Sequence, residues 1–259
     1  MQEADAGCRT GLDAPASGQR CREGASIGDV AVVIPVHNEE QHLGRALAGV
    51  RTAADEVAAY HPGVSVRVLM VLDSCADGSL RLATDFAASD ARFNVMTVGF
   101  RNVGMSRRAG AEALGLNGRA AAARAWLANT DADSMVPPNW LSRQLDLAAT
   151  GADVVLGSVE PDGDGMQNAL IARWHARHIL AENHSHVYGA NLGVRGSSYL
   201  RAGGFPGLAS SEDRVLVDRL RASGARIVAT DTVRVLTSGR TLGRAPRGFA
   251  AYLLALAQQ

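Results

Sequence analysis

Two aspartates two residues apart, in Thr130-Asp131-Ala132-Asp133, follow directly on the apolar run Ala125-Trp126-Leu127-Ala128-Asn129. At the end of a strand, residues i and i+2 point to the same side of the chain. Two carboxylates so placed repel each other unless a cation lies between them or one keeps its proton. Hard divalent ions such as Mg²⁺ or Mn²⁺ take oxygen ligands of this kind and leave positions open for substrate phosphates. The alternative is a solvated turn that happens to carry two acids.

A second acidic pair, Glu212-Asp213, stands far along the chain. Together the two pairs suit transfer of a sugar from a nucleoside diphosphate. The departing diphosphate needs a fixed cation. The sugar carbon passes through an oxocarbenium-like state, and a nearby carboxylate takes the proton of the attacking hydroxyl. Glu212-Asp213 also reads as an ordinary helix start, since acids favour a first turn and Val215, Leu216 and Leu220 follow at helical spacing. The two readings are compatible.

Basic groups narrow the chemistry. All 26 basic residues are arginine. Without lysine there is no Walker-type phosphate loop and no Schiff base. Arg240 and Arg244, in Thr237-Ser238-Gly239-Arg240-Thr241-Leu242-Gly243-Arg244, suit a glycine-loosened segment closing on diphosphate oxygens. A solvated loop is the competing reading, and Arg101 divides in the same way. The histidines His175, His178, His184 and His186 match no zinc spacing, so lining of an acceptor cleft or plain surface is expected. For Trp140 and Trp174 core packing is expected, and Asn191 is a candidate contact to donor sugar or acceptor. Asp162-Gly-Asp164-Gly reads as a turn, because a calcium loop begun there would need Glu where Arg173 stands.

These residues must be held by a frame. With 47% apolar and 20% charged residues, the 259-residue chain can build a sizeable core. Zero formal net charge leaves no footprint for nucleic acid. No apolar run is long enough to span a bilayer. Cys8, Cys21 and Cys75 have no paired spacing, which favours a cytoplasmic protein. Residues 1–28 have the composition of a disordered tail.

From Asp29 onward apolar runs alternate with helical patterns. Strands are expected at Val30–Ile34 (stopped by Pro35), Val66–Leu72, Phe93–Val98, Ala125–Asn129, Asp153–Gly157 and Val233–Leu236. Helices are expected at Glu40–Tyr60, Leu80–Ala88, from a cap near Ser106, after Pro137-Pro138, and at Phe249–Leu256. Such alternation predicts an α/β protein with a mainly parallel central sheet flanked by helices. Ligands in these sheets bind beyond the carboxyl ends of the strands. The polar clusters His37-Asn38-Glu39, Asp73 to Ser79, Arg101 to Gly104 and Asp131 to Asp133 all fall there. No Gly-x-Gly-x-x-Gly follows the first strand, which argues against a dehydrogenase.

Six segments in order resemble the family 2 glycosyltransferases. They are Val33-Ile34-Pro35-Val36-His37-Asn38-Glu39-Glu40, Leu72-Asp73 through Asp77-Gly78-Ser79, Asn102-Val103-Gly104, Thr130-Asp131-Ala132-Asp133, Gly203-Gly204-Phe205 and Ser211-Glu212-Asp213. The resemblance implies a GT-A fold over 29–259, with a nucleotide-sugar-binding half at 29–134 and an acceptor-binding half with a C-terminal helix at 135–259. It implies a UDP- or GDP-type sugar donor, a hydroxyl acceptor and Mn²⁺ or Mg²⁺; in-line attack in one step would give inversion, with retention, found in some relatives of this fold, as the alternative. Pro35, His37 and Glu39 would border the nucleoside, and Asp73 would accept from the base edge. Asp131 would lie near ribose and metal, and Asp133 would bind the metal. Asp213 would be the catalytic base, with Glu212 as the alternative base or an orienting neighbour. Two segments depart from the family. The second loop, Leu72-Asp73-Ser74-Cys75, lacks one carboxylate and one glycine, and Ala-Arg-Asn is replaced by Arg107-Arg108-Ala109. A sugar-phosphate nucleotidyltransferase and a non-catalytic nucleotide-sugar-binding module are the alternatives.

Overall fold

The computed structural model describes residues 26–164, 166–243 and 248–258. Most of the expected tail, with Cys8 and Cys21, therefore lies outside the described residues, and so does Arg244. The chain alternates strand and helix through its first half: β1 (Asp29–Val36), α1 (Leu43–Tyr60), β2 (Ser65–Asp73), α2 (Ser79–Ser89), β3 (Phe93–Val98), α3 (Val103–Ala113), α4 (Arg119–Ala123) and β4 (Ala125–Asn129). There follow β5 (Ser134–Met135), α5 (Trp140–Ala149), β6 (Val154–Pro161), α6 (Asn168–Arg177), β7 (Leu192–Arg195), α7 (Gly196–Arg201), α8 (Glu212–Ala222), β8 (Ile227–Thr237) and α9 (Phe249–Ala257).

Among the described residues one eight-stranded sheet has the order β3-β2-β1-β4-β7-β6-β8-β5. β3, β2, β1 and β4 run parallel, as do β6 and β8. β7 is antiparallel to both neighbours, and β5 is antiparallel to β8. The register sets the site: Val36 pairs with Leu72, Asp73 with Val98, and Val33 with Asn129. The loops after β1, β2, β3 and β4 therefore leave the sheet at one edge.

Both faces of the sheet are covered, and period-2 alternation sorts the side chains. Val30, Val32 and Ile34 face α1 and α5, packing with Leu47, Val50, Trp140 and Leu145. Ala31 and Val33 face the other way, in a core with Ala111, Leu127, Phe205, Leu216 and Leu220. A small satellite core joins Leu170 and Trp174 of α6 to Leu253 and Leu256 of α9.

Several expectations shift. Pro35 does not stop β1; it pairs with Val71, and it lies beyond Val33, the last β1 residue paired with β4, where a missing N–H costs no bond to that strand. α1 begins at Leu43 because Glu39 O accepts both His42 N and Leu43 N in a preceding turn. α3 starts three residues before Ser106. Its cap is Asn102, whose side chain accepts from Met105 N, a preferred N-cap geometry. β6 and β8 are longer than their apolar cores suggested. β7 was not expected; it begins at the end of Gly189-Ala190-Asn191-Leu192-Gly193, where close packing demands glycine: a Cβ on Gly193 would meet Gln144 Oε1 at 2.2 Å.

Candidate active site

Four of the described non-glycine residues with positive φ stand at the site edge: Asn38, Ser74, Arg101 and Ser211. Each follows a strand or precedes α8. Left-handed backbone at such residues costs free energy and persists where surrounding contacts impose it.

The loops after β1, β2 and β3 are tied together by their polar side chains. Asp73 is 4% exposed. Its carboxylate accepts from Arg101 N (2.7 Å), Asn102 N (2.9 Å), Ser106 Oγ (2.9 Å) and Ser74 Oγ (3.2 Å). Burial pushes its pKa up, but these four bonds outweigh burial and hold it below the ordinary value. His37 Nδ1 lies 2.6 Å from Asp73 O. Asn38 and Glu40 accept from Ala76 N and Gly78 N of the second loop, both at 2.7 Å. Pro35 is half-buried near the end of β1, followed by the buried Val36, and the Arg101 side chain is exposed.

Around the paired aspartates, two guanidinium groups hold the carboxylates. Arg240 Nη1 and Nη2 fork onto Glu39 at 2.7 and 2.5 Å, and Nη2 also lies 2.9 Å from Asp133 Oδ2. Burial first, and then the Asp131 charge, push the Asp133 carboxyl up to about 6, against the pull of Arg240. Asp131 is paired at 2.6 Å with Arg107, whose side chain is only 2% exposed. Arg107 Nε reaches Glu212 Oε1 at 3.2 Å, and its guanidinium carbon lies 5.8 Å from the Phe205 ring centre. Glu212 is raised by burial, which outweighs the Arg107 charge. Asp213, the next residue, is half-buried and accepts Gly189 N on Oδ2 at 2.7 Å. Thus Glu39, Arg240, Asp133, Asp131, Arg107, Glu212 and Asp213 form one chain of charges drawn from five separated segments.

A model of a known family, described as "Glycosyl transferase family 2", matches residues 31–195. The chain belongs to glycosyl transferase family 2. An undecaprenyl-phosphate 4-deoxy-4-formamido-L-arabinose transferase of Pseudomonas fluorescens (strain SBW25) is 27% identical over 197 residues, 76% of this chain and 50% of the relative. The protein of the same name from Aeromonas hydrophila subsp. hydrophila is 33% identical over 128 residues, 49% of this chain and 35% of the relative. This chain thus spans about a third to a half of these relatives. Among solved structures, the mannosyltransferase PcManGT of Pyrobaculum calidifontis, in complex with GDP-Man and Mn²⁺, superposes with a TM-score of 0.59 at 17% identity, covering 88% of this chain and 60% of that one. Glucosyl-3-phosphoglycerate synthase of Mycobacterium tuberculosis, in complex with Mn²⁺, UDP and phosphoglyceric acid, gives 0.52 at 14%, covering 89% and 75%. These likenesses show that this family 2 chain has the GT-A fold.

Among the described residues no three His, Cys, Asp or Glu side chains group as a metal cage. Asp131 and Asp133 remain a pair of hard oxygen donors, and Asp133 is a buried carboxyl whose ionised form a cation would favour. That donor set fits Mn²⁺ or Mg²⁺ drawing its other ligands from water and a diphosphate. Beside Arg240 a cleft of about 450 Å³ opens, lined by Gln41, His42, Asp162, Ser238 and Leu242 among others. Its wall is set by the Asp162 turn: Asp162 Oδ1 accepts from Asp164 N and Gly239 N, both at 3.1 Å.

Arg107 was not foreseen, although its helix carried a signal. Gly104, Ser106, Arg107, Gly110 and Ala111 are the buried residues of α3, so the arginine stands among small residues, with Gly110 against Val33 of β1 and Gly104 against Pro206 and Leu208. Asn191 corrects the expectation of a sugar contact. It is 1% exposed, accepts from Trp140 Nε1 at 2.9 Å and donates to Ser158 O and Val233 O at 2.9 and 2.7 Å. Its side chain is a pin beneath the site. Trp140 and Trp174 are fully buried, as packing predicted.

Proposed function

We propose that this protein transfers a sugar from a nucleoside diphosphate sugar, of UDP or GDP type, to an acceptor hydroxyl with inversion. The observation that carries this reading is Arg107, which joins Asp131 at the end of β4 to Glu212 at the start of α8. Donor-side and acceptor-side carboxylates are thereby joined through one guanidinium. Pro35, His37 and Arg101 border the nucleoside, and Asp73 acts through the 101–106 segment that it clamps. Glu39 aims Arg240 at the diphosphate. Asp131 and Asp133 would hold Mn²⁺ or Mg²⁺, which when bound supplies positive charge to the leaving diphosphate.

Asp213 is the base. It is more exposed than Glu212, and its carboxylate is oriented by Gly189 N. The acceptor hydroxyl attacks the anomeric carbon, its proton passes to Asp213, and the bond from that carbon to the diphosphate oxygen breaks. One displacement inverts the centre. Glu212, paired with Arg107, positions its neighbour. No helix among the described residues is long and apolar enough to cross a membrane, and Cys75 is a free thiol; the cysteine pattern supports a cytoplasmic setting.

Two variants test the reading on a panel of UDP- and GDP-sugars with Mn²⁺. Asp213→Asn should keep donor affinity while transfer and donor hydrolysis fall by roughly 10²–10⁴-fold, the usual contribution of a general base. Asp133→Ala should abolish metal-stimulated turnover. Unchanged turnover in either variant rejects the role assigned to it.

A further inference from the structure

A ladder of aromatic and imidazole rings leads away from the proposed base. Trp174 and His178 stack at 4.3 Å between centroids with planes 6° apart. His178 then meets His186 at 5.5 Å and Tyr252 of α9 at 5.4 Å. His186 stacks on His184 at 5.7 Å and on Tyr188 at 5.6 Å. Tyr188 precedes Gly189, the residue whose N–H holds Asp213. The ladder therefore ends one residue from the group that receives the acceptor proton.

Polar edges along it lack partners. Both ring nitrogens of His184, and Nε1 of the fully buried Trp174, make no hydrogen bond. Such groups are normally satisfied, and imidazole and indole edges suit hydroxyl oxygens and hydrogens. Flat rings with a few polar edges are what ligand sites for ring-shaped molecules present.

Charge around the ladder disfavours an anion. Glu160 stands 3.4 Å from His175 Nε2 and is bound by Arg234 at 3.0 Å. Arg234 is also committed to Asp231, and Glu182 accepts from Thr230 Oγ1 and Asp231 N. Two carboxylates thus engage the Arg234 guanidinium, and a third, Glu182, stands on the backbone of Asp231. Arg173 is spent on the last carbonyls of α9, donating to Ala257 O at 3.3 Å. Burial and the neighbouring imidazoles hold His186 below its ordinary pKa, which disfavours its cationic form.

We infer that His178, His184, His186, Tyr188 and Tyr252, backed by Trp174, wall a subsite for a neutral, ring-bearing polyhydroxy acceptor: a glycoside, not a phosphorylated lipid or acid. The inference rests on Asp213 being the base, and it names the class of acceptor.

Saturation-transfer NMR on the full chain reads binding without turnover. Probes are methyl glucoside, mannoside and galactoside, maltose, and two phosphorylated comparators, 3-phosphoglycerate and farnesyl phosphate. At least one neutral glycoside should bind, and affinity should fall at least tenfold in His178→Ala and His186→Ala. UDP or GDP affinity, read by calorimetry, should stay within twofold. His186→Phe, which keeps the ring and loses the polar edge, should still lose affinity about threefold, and it serves if the alanine variant does not fold. Preference for the phosphorylated comparators, no glycoside binding, wild-type affinity in the variants, or an equal loss of nucleotide affinity would each overturn the inference. Glycoside binding that persists without nucleotide-sugar turnover would instead reject the transferase reading and leave the subsite standing.

Discussion

Replacing Arg107 by methionine preserves much of the side-chain volume and removes the charge that links the two halves of the site. The two arms of the link differ in weight. Glu212 is 7% exposed on its side chain, whereas Asp131 is 37% exposed. Water screens the Asp131 arm, which counts for at most about 1 kcal/mol. The Glu212 arm is buried, and deleting one partner of a buried pair strands the other, at about 3–5 kcal/mol. Against a total stability of roughly 5–15 kcal/mol, Arg107→Met should lower Tm by roughly 6–20 °C for a chain of this size. Transfer should fall about 100-fold at temperatures where the variant is folded, because a displaced Glu212 moves Asp213 out of line. Differential scanning calorimetry on Arg107→Met, Glu212→Gln and the double variant separates charge from packing. If the stranded carboxylate is the cause, the double variant regains about 2 kcal/mol over Arg107→Met. Should Arg107→Met lose less than about 1 kcal/mol, or the double variant gain nothing, the buried-link argument fails.

Further outcomes follow from the same geometry. Asp73→Asn should cost about 1.5–3 kcal/mol at pH 7, since charge-assisted bonds from two backbone amides and Ser106 are lost. The Asp73 carboxyl lies below its ordinary value when folded, so its stabilisation is complete above about pH 4 and is lost as pH falls through the folded value. Urea midpoints of wild type and Asp73→Asn should converge in acid; a constant gap down to pH 2 would contradict this. Gly104→Ala would place a Cβ 2.2 Å from Pro206 O and 2.7 Å from Leu208 O, so α3 must retreat from that segment, at about 1–3 kcal/mol. Urea denaturation showing wild-type stability would refute that packing. Asn191→Ala should cost on the order of 1–3 kcal/mol by orphaning Trp140 Nε1 and two carbonyls, and a loss under about 0.5 kcal/mol would show those groups finding other partners.

Local pattern made most of the frame legible. Apolar runs of strand length, each closed by a polar cluster, located β1 to β4 and the loops that follow them. The order of motifs pointed to the family, and the paired aspartates and Glu212-Asp213 stood out by type and spacing alone. Caps and short strands were harder. Ser106 and Asn102 are both good caps, and only the packing of the preceding loop against Asp73 selects Asn102. β7 is four residues long and antiparallel, and its glycine resembles a loop residue until Trp126 and Gln144 are seen against Gly193.

Residue types and their near neighbours in the chain thus determined which groups carry charge and which strand ends they follow, because secondary structure and turn chemistry depend on short-range spacing. Tertiary structure decided which charges meet. Arg107 and Glu212 are 105 residues apart, and Arg240 and Glu39 are 201 apart. No periodicity spans such separations; the parallel register and the layers of helix that bury the sheet bring those side chains within a hydrogen bond of each other. The same long-range packing brought His178, His184 and His186 into ring contact and withdrew Asn191 into the core.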